Sequence, residues 1–65
     1  MRIKFGNKIF LCTKVSHPQG GDLLIITTPN SIYTVKTSSC KEAEFILNNL
    51  LINGYYDVSE YEYSN

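Results

Sequence analysis

Residues 39 to 54 carry the clearest structural signal in this chain: Ser39-Cys-Lys-Glu-Ala-Glu-Phe-Ile-Leu-Asn-Asn-Leu-Leu-Ile-Asn-Gly54. Ser39 and Glu42 have the three-residue spacing of a capping box, which starts a helix. Apolar side chains then recur every three or four residues, a pattern that predicts one buried stripe along the helix. Gly54 suits the left-handed residue that follows a helix. The stretch therefore predicts an α-helix over 39–53.

The residues before this helix predict β-strands. Residues 1–5 alternate apolar and basic side chains, 8–15 resume the alternation, and 23–28 form an apolar, β-branched run. These patterns are typical of strands, and residues 32–37 predict a fourth. The separating turns are indicated by Gly6-Asn7, by the loop Ser16–Asp22 with its Gly20-Gly21 pair, and by Pro29-Asn30-Ser31.

The first hairpin allows two registers. A two-residue loop at Gly6-Asn7 places Ile9 and Leu11 on the basic face of the first strand, whereas a three-residue loop or a bulge places them on its apolar face. A slip of one residue moves every side chain of a strand to the other face. We expect the second register, because it gives one apolar face and one basic face.

These elements predict an α+β fold with a single domain, 1–65. Residues 1–37 form a four-stranded antiparallel sheet of two hairpins, and the C-terminal helix, 39–53, packs on one face of it to give two layers. An acidic, tyrosine-rich tail, 55–65, follows. The expected core consists of Ile3, Phe5, Ile9, Leu11, Leu24, Ile26, Val35, Ala43, Ile46, Leu47, Leu50 and Leu51.

The tail holds four of the five tyrosines and three of the six acidic residues of the chain. Tyrosine supplies large, stiff contact area and is enriched at interfaces. We expect the tail to pack on its own subunit or on a partner, with order as far as Val58 or Tyr61. The alternation from Glu60 to Tyr63 also fits an added edge strand.

A second surface is predicted on the helix, where Phe45 and Ile52 align and point away from the core stripe. Exposed apolar side chains on one line are typical of a protein contact, unless the tail covers them. Association also suits a short chain, whose core alone stabilises it little. We therefore predict a protein-interaction module that forms a homodimer. The expected contact residues are Phe45, Ile52, Tyr55, Tyr56, Tyr61 and Tyr63.

The alternative partner is single-stranded nucleic acid. On the expected register the outer sheet face shows Lys4, Lys8, Phe10 and Lys14, and such binders use charges for phosphates and rings for bases. Residues 1–36 hold five basic residues and one acidic residue, a net charge of +4, while 37–65 carry −4. One aromatic ring and a net charge of zero over the whole chain are weak support, and lysines also protect solvated sheets from edge pairing.

Catalytic and metal-binding patterns are missing from the sequence. Cys40 lies near a helix N-terminus, which favours a thiolate, but a catalytic thiol needs a base, and no local pattern places His17 near it. The spacing of Cys12, Cys40, His17 and Asp22 matches no common zinc motif. We expect a protein that is not an enzyme, with no cofactor, no metal and no small-molecule substrate.

The sequence has no apolar run of the length of a signal peptide or a membrane span. Two cysteines make no disulfide framework, and in a reducing compartment both stay free thiols. We expect a cytoplasmic protein with no membrane partner. Its arrangement resembles small accessory proteins of phages and prophages, a resemblance that no motif carries and from which no function follows.

Overall fold

The computed structural model describes residues 1–18 and 21–64. Gln19 and Gly20 of the predicted loop, and Asn65 of the predicted tail, lie outside the described residues. The protein is a small α+β protein with one helix and two sheets among these residues. Its elements are β1 (Arg2–Phe5), β2 (Lys8–Leu11), β3 (Lys14–Ser16), β4 (Leu23–Thr27), β5 (Ile32–Lys36), α1 (Cys40–Asn53), β6 (Tyr55–Asp57) and β7 (Glu62–Ser64).

The strands form two sheets, not the single sheet that we predicted. One sheet has the order β2-β1-β6 and is mixed, because β1 runs antiparallel to β2 and parallel to β6. The other has the order β3-β4-β5-β7 and is antiparallel throughout. A four-stranded antiparallel sheet therefore exists, but its strands differ from the predicted four.

The predicted second strand, 8–15, is divided between the two sheets. The Cys12 N–H donates to the Met1 carbonyl oxygen at 2.8 Å, and the next N–H, of Thr13, donates to the Thr27 carbonyl oxygen at 2.8 Å. Two consecutive residues thus bond to different sheets, and the chain changes direction between them. Because residues 8–15 follow one alternating pattern, the sequence did not indicate this break.

The expected register of the first hairpin is wrong. Phe5 pairs with Lys8 across a two-residue loop, so Ile9 lies opposite Lys4. Gly6 has a φ of 57°. Among the described residues only glycines have a positive φ, so the φ of Asn7 is not positive. A positive φ at only the first central residue is the pattern of a type II′ turn, whose twist matches the flanking strands.

The helix prediction is confirmed at both ends. The Ser39 hydroxyl accepts a hydrogen bond from the Glu42 N–H at 3.2 Å, while the Glu42 carboxylate accepts from the N–H and hydroxyl of Ser38, each at 2.8 Å. Gly54 has a φ of 73° and donates its N–H to the Leu50 carbonyl oxygen at 2.9 Å. These contacts satisfy main-chain groups that a helix end otherwise leaves without partners.

The core joins both sheets and the helix. Ala43, Ile46 and Leu50 of α1 are buried, and α1 contacts β4 and β6. That the helix covers one face of a two-layer structure stays a prediction. The buried cluster comprises Ile3, Phe5, Cys12, Leu24, Ile26, Val35, Ala43, Ile46, Leu50 and Val58.

Three predicted core residues are exposed, and two apolar residues of the buried cluster were not predicted. Ile9, Leu11 and Leu51 leave 57%, 58% and 64% of their surface accessible. The two-residue turn directs the first two outward, and Leu51 lies beyond the buried helical stripe. Cys12 and Val58 take places in the core instead, the second because the tail folds back against β1.

The tail belongs to the fold of its own subunit. Its first part forms β6 beside β1, and its second part forms β7 beside β5. The edge-strand interpretation of Glu60 to Tyr63 is thus confirmed for Glu62–Ser64, and regular structure extends beyond the expected limit of Val58 or Tyr61. Within the described residues, no helix has the length and hydropathy to cross a membrane.

Candidate functional site

The β2-β1-β6 sheet has one face turned away from the core, which we call the outer face. Residues paired across strands share a face. Ile3 is buried and pairs with Phe10 and Tyr56, so these three side chains are directed inward. The outer face consists of two rows, Leu11–Arg2–Tyr55 and Ile9–Lys4–Asp57.

Ile9 and Leu11 combine two kinds of exposure. Their side chains lie on the outer face and are 57% and 58% accessible. Their strand, β2, is also an edge of its sheet among the described strands. The Cys12 N–H bonds to Met1, and antiparallel hydrogen bonds join alternate residues. The N–H and C=O groups of Ile9 and Leu11 therefore point away from β1.

A surface cavity lies beside this strand. It has a volume of about 230 Å³, separates β2 from the turn between β4 and β5 and is lined by both. An exposed strand edge is a template for pairing with another chain, and proteins usually protect it with charges, proline or a bulge. Here β2 carries apolar side chains at the residues whose main-chain groups are available.

The two predicted contact residues on the helix differ in how far the tail covers them. The ring of Phe45 packs edge-on against Tyr56, with ring centroids 6.3 Å apart and an interplanar angle of 84°. Ile52 is 81% exposed, whereas Phe45 is 57% exposed. The tail thus partly covers Phe45 and leaves Ile52 on the surface.

The tail tyrosines are largely used within the subunit. The Tyr63 ring lies on Phe5 with centroids 4.2 Å apart, and Tyr33 completes the cluster at 5.3 Å from Phe5. Tyr56 and Tyr61 are half-buried against the core. Tyr55 and Tyr63 keep exposed surface, and Tyr55 alone of these lies on the outer face.

Burial also changes the acidity of one tail tyrosine. Burial, together with the charge and hydrogen bonding of the neighbouring Tyr56 and Glu42, raises the pKa of Tyr61 to about 12. In the reverse direction, hydrogen bonds from Ser38 lower the pKa of the Glu42 carboxyl. The tail is therefore coupled electrostatically to the start of the helix.

The four residues of the predicted nucleic-acid site do not share a face. Lys4 lies on the outer face, but Phe10 pairs with Ile3 and packs its ring edge-on against Phe5 at 5.9 Å. Lys8 lies on the same side as Phe10 because it pairs with Phe5. Lys14 belongs to β3 in the other sheet. The expected grouping depended on the wrong register.

One side-chain cluster escaped the sequence prediction. The Sγ atom of Cys40 lies 3.8 Å from Nε2 of His17 and 3.8 Å from Oε1 of Glu44. Cys40 and Glu44 are four residues apart on the helix, a spacing that brings side chains together. This part of the cluster was therefore predictable from the sequence. His17 lies in the loop between β3 and β4, and no pattern in the neighbouring sequence indicates that this loop contacts the helix.

Comparisons with protein-family models, with curated proteins and with solved structures find no match to this chain.

Proposed function

We propose that this chain is a small non-enzymatic interaction protein that forms a homodimer, and that two copies pair through β2. The observation that supports this most is the coincidence at Ile9 and Leu11 of exposed apolar side chains with outward-pointing main-chain groups. The proposal keeps the predicted self-association but moves its centre from the Phe45 and Ile52 line to the edge of the sheet.

The strand is complementary to itself in one register. When two β2 strands run antiparallel about a twofold axis at Phe10, Ile9 of each copy faces Leu11 of the other. Both residues direct their N–H and C=O groups toward the partner, so each pair exchanges two hydrogen bonds. The two sheets become continuous, and the contact is closed because each copy offers the same patch.

The expected affinity is low. Full burial of a Leu or Ile side chain stabilises by about 1.5–3 kcal/mol, and Ile9 and Leu11 are already about half-buried. Four hydrogen bonds add about 1 kcal/mol each. The loss of translational and rotational freedom costs about 4–15 kcal/mol, which is of the same order as these gains. We expect a dissociation constant on the order of 100 µM or weaker.

Sedimentation velocity over a concentration series tests the proposal. The wild type should pass from monomer to dimer as its concentration rises, and Ile9→Glu should stay monomeric because it replaces each apolar Ile9–Leu11 contact between the copies by a carboxylate beside a leucine. Phe45→Glu is the matched control, since Phe45 and Ile9 have the same exposed fraction, 57%. Circular dichroism checks that both variants fold.

Three results would contradict this. A wild type that stays monomeric at millimolar concentration overturns the homodimer. A dimer that Phe45→Glu abolishes and Ile9→Glu leaves intact assigns the contact to the helix instead. A dimer that survives both changes places the interface elsewhere.

The proposal includes a reducing, cytoplasmic setting. Cys12 is a buried free thiol and Cys40 a half-buried one, and exported proteins of this size commonly rely on disulfides. Function by binding rather than catalysis is supported by the sequence, which contains no nucleotide fingerprint or nucleophile motif.

A further inference from the structure

Three side chains of metal-binding type meet where the loop between β3 and β4 reaches the start of α1. They are His17, Cys40 and Glu44, and one ligand atom from each lies within 4.8 Å of the other two. His17 and Cys40 are half-buried, and Glu44 is exposed. A sulfur, an imidazole nitrogen and a carboxylate oxygen are each ordinary ligands of zinc.

We propose that His17, Cys40 and Glu44 bind one divalent zinc-type ion through three protein ligands, with a fourth position open to water. This inference is independent of the homodimer, because none of the three residues lies on β2.

The spacing of the ligand atoms suits such an ion. Bonds of about 2.0–2.3 Å in a tetrahedral zinc site place neighbouring ligand atoms about 3.3–3.8 Å apart. The two distances from the Cys40 sulfur, 3.8 Å to Nε2 of His17 and 3.8 Å to Oε1 of Glu44, already approach this range. The ligand atoms of His17 and Glu44 lie within 4.8 Å of each other, so a tetrahedral site requires rotations that bring these two side chains together.

A buried threonine fixes the backbone that carries the ligands. The Thr37 hydroxyl lies 2.6 Å from the Asp22 carbonyl oxygen and 2.8 Å from that of Ser39, and the Thr37 N–H donates to Asp22 at 2.9 Å. These bonds join the end of the loop that contains His17 to the N-cap of the helix that contains Cys40. The ligands therefore come from parts of the chain that are held together.

Binding of the ion breaks the hydrogen bond of His17 to Gly21 and removes the thiol proton of Cys40. Nε2 of His17 lies 2.9 Å from the Gly21 carbonyl oxygen and donates a proton to it. Coordination through Nε2 places the ring proton on Nδ1 and releases this carbonyl. The Cys40 thiol must also lose its proton, because the thiolate is the ligand. Each ion bound releases one proton from the sulfur, and affinity therefore rises with pH.

The combination of ligands sets the class of ion. A thiolate with an imidazole favours zinc over magnesium and calcium, which prefer oxygen ligands alone. Cobalt(II) takes the same geometry and shows a thiolate-to-metal absorption band, so it reports sulfur coordination directly. Three ligands also leave a position for a water molecule.

The test is calorimetric titration of zinc into the full chain under reducing conditions, with cobalt(II) absorption as a second readout. We expect one ion per chain, with proton release and a thiolate-to-cobalt band. Cys40→Ser should remove the band, and Cys40→Ser and His17→Gln should each weaken zinc binding at least about tenfold. Cys12→Ala is the control, because it removes the other thiol and should leave binding and band unchanged.

Several outcomes overturn the site. If no zinc binds at millimolar metal, the site does not exist. If zinc binds equally strongly to Cys40→Ser and to the wild type, Cys40 is not a ligand. If a folded Cys12→Ala variant loses the cobalt band, the thiolate ligand is Cys12 and the proposed use of Cys40 is wrong. One ion for two chains means that the ligands come from both copies, which contradicts a site within one chain.

Discussion

The N–H of Val58 donates a hydrogen bond to the carbonyl oxygen of Lys4 at 2.9 Å. This bond extends the parallel pairing of β6 with β1, and the Val58 side chain is completely buried. A residue from the acidic tail thereby closes one end of the core. The tail is thus a structural part of the fold as well as a source of exposed tyrosine surface.

Replacing Val58 by alanine should lower the free energy of unfolding by about 2 kcal/mol, because the change removes buried methyl groups and leaves a cavity. Urea denaturation followed by circular dichroism measures this. Glu60→Ala is the control in the same segment, since Glu60 is exposed, and it should change stability by less than about 0.5 kcal/mol. Equal effects would show that the tail does not contribute to the core in solution.

The N-cap of the helix should respond to side-chain chemistry. Ser39→Ala removes the oxygen that accepts from the Glu42 N–H and should cost about 1 kcal/mol, whereas Ser39→Gly should cost only a few tenths. Thermal unfolding of both variants measures the difference. If alanine is tolerated as well as glycine, the hydroxyl does not cap the helix.

Tyr61 should ionise well above the ordinary pH range of a tyrosine during an alkaline titration, because its pKa is raised to about 12. The folded state holds this phenol proton more tightly than the unfolded state, whose pKa is 10.0. The resulting stability is fully present below pH 10 and is lost as the pH rises through about 12. Absorbance of tyrosinate follows the titration, and Tyr61→Phe should remove the step near pH 12. A single transition near the ordinary pKa would contradict this.

Two carboxyl groups should titrate below their ordinary range. Hydrogen bonds from Ser38 lower the pKa of Glu42, and those from Ser59 lower the pKa of Asp57. Stability from both groups is present above their unfolded pKa and is lost as the pH falls through the folded value. Carboxyl chemical shifts measured by nuclear magnetic resonance report each group. Ser38→Ala should raise the pKa of Glu42 alone, and Asp57 serves as the internal control.

The sequence predicted those elements that depend on residues close together in the chain. Ser39, Glu42 and Gly54 define the helix because caps act within one turn of the chain. The hairpin register was not predictable in the same way, since Ile9, Phe10 and Leu11 are consecutive apolar residues and alternation cannot say which of them faces inward. The Phe10 ring packs against the core, where it contacts Phe5 and Tyr33, and Ile9 and Leu11 are turned outward.

Non-local contacts explain the other differences. The pairing of Arg2 with Tyr55 joins residues far apart in the sequence, and nothing near either residue indicates its partner. His17 reaches Cys40 for the same reason, through a loop whose path depends on Thr37 and Asp22. Residue types indicated the candidate chemistry of Cys40, but only the three-dimensional arrangement supplied its neighbours.

The parallel pairing of β1 with β6 also imposes an order of events on a growing chain. A nascent chain that has reached Gly54 contains the residues of the helix and of five strands, but the place beside β1 is still empty. Contacts between residues so distant in sequence form late, because a long loop must close first. Until Tyr55 to Val58 are made, the edge of β1 opposite β2 has no neighbouring strand, and an unpaired strand edge is a template for pairing with another chain.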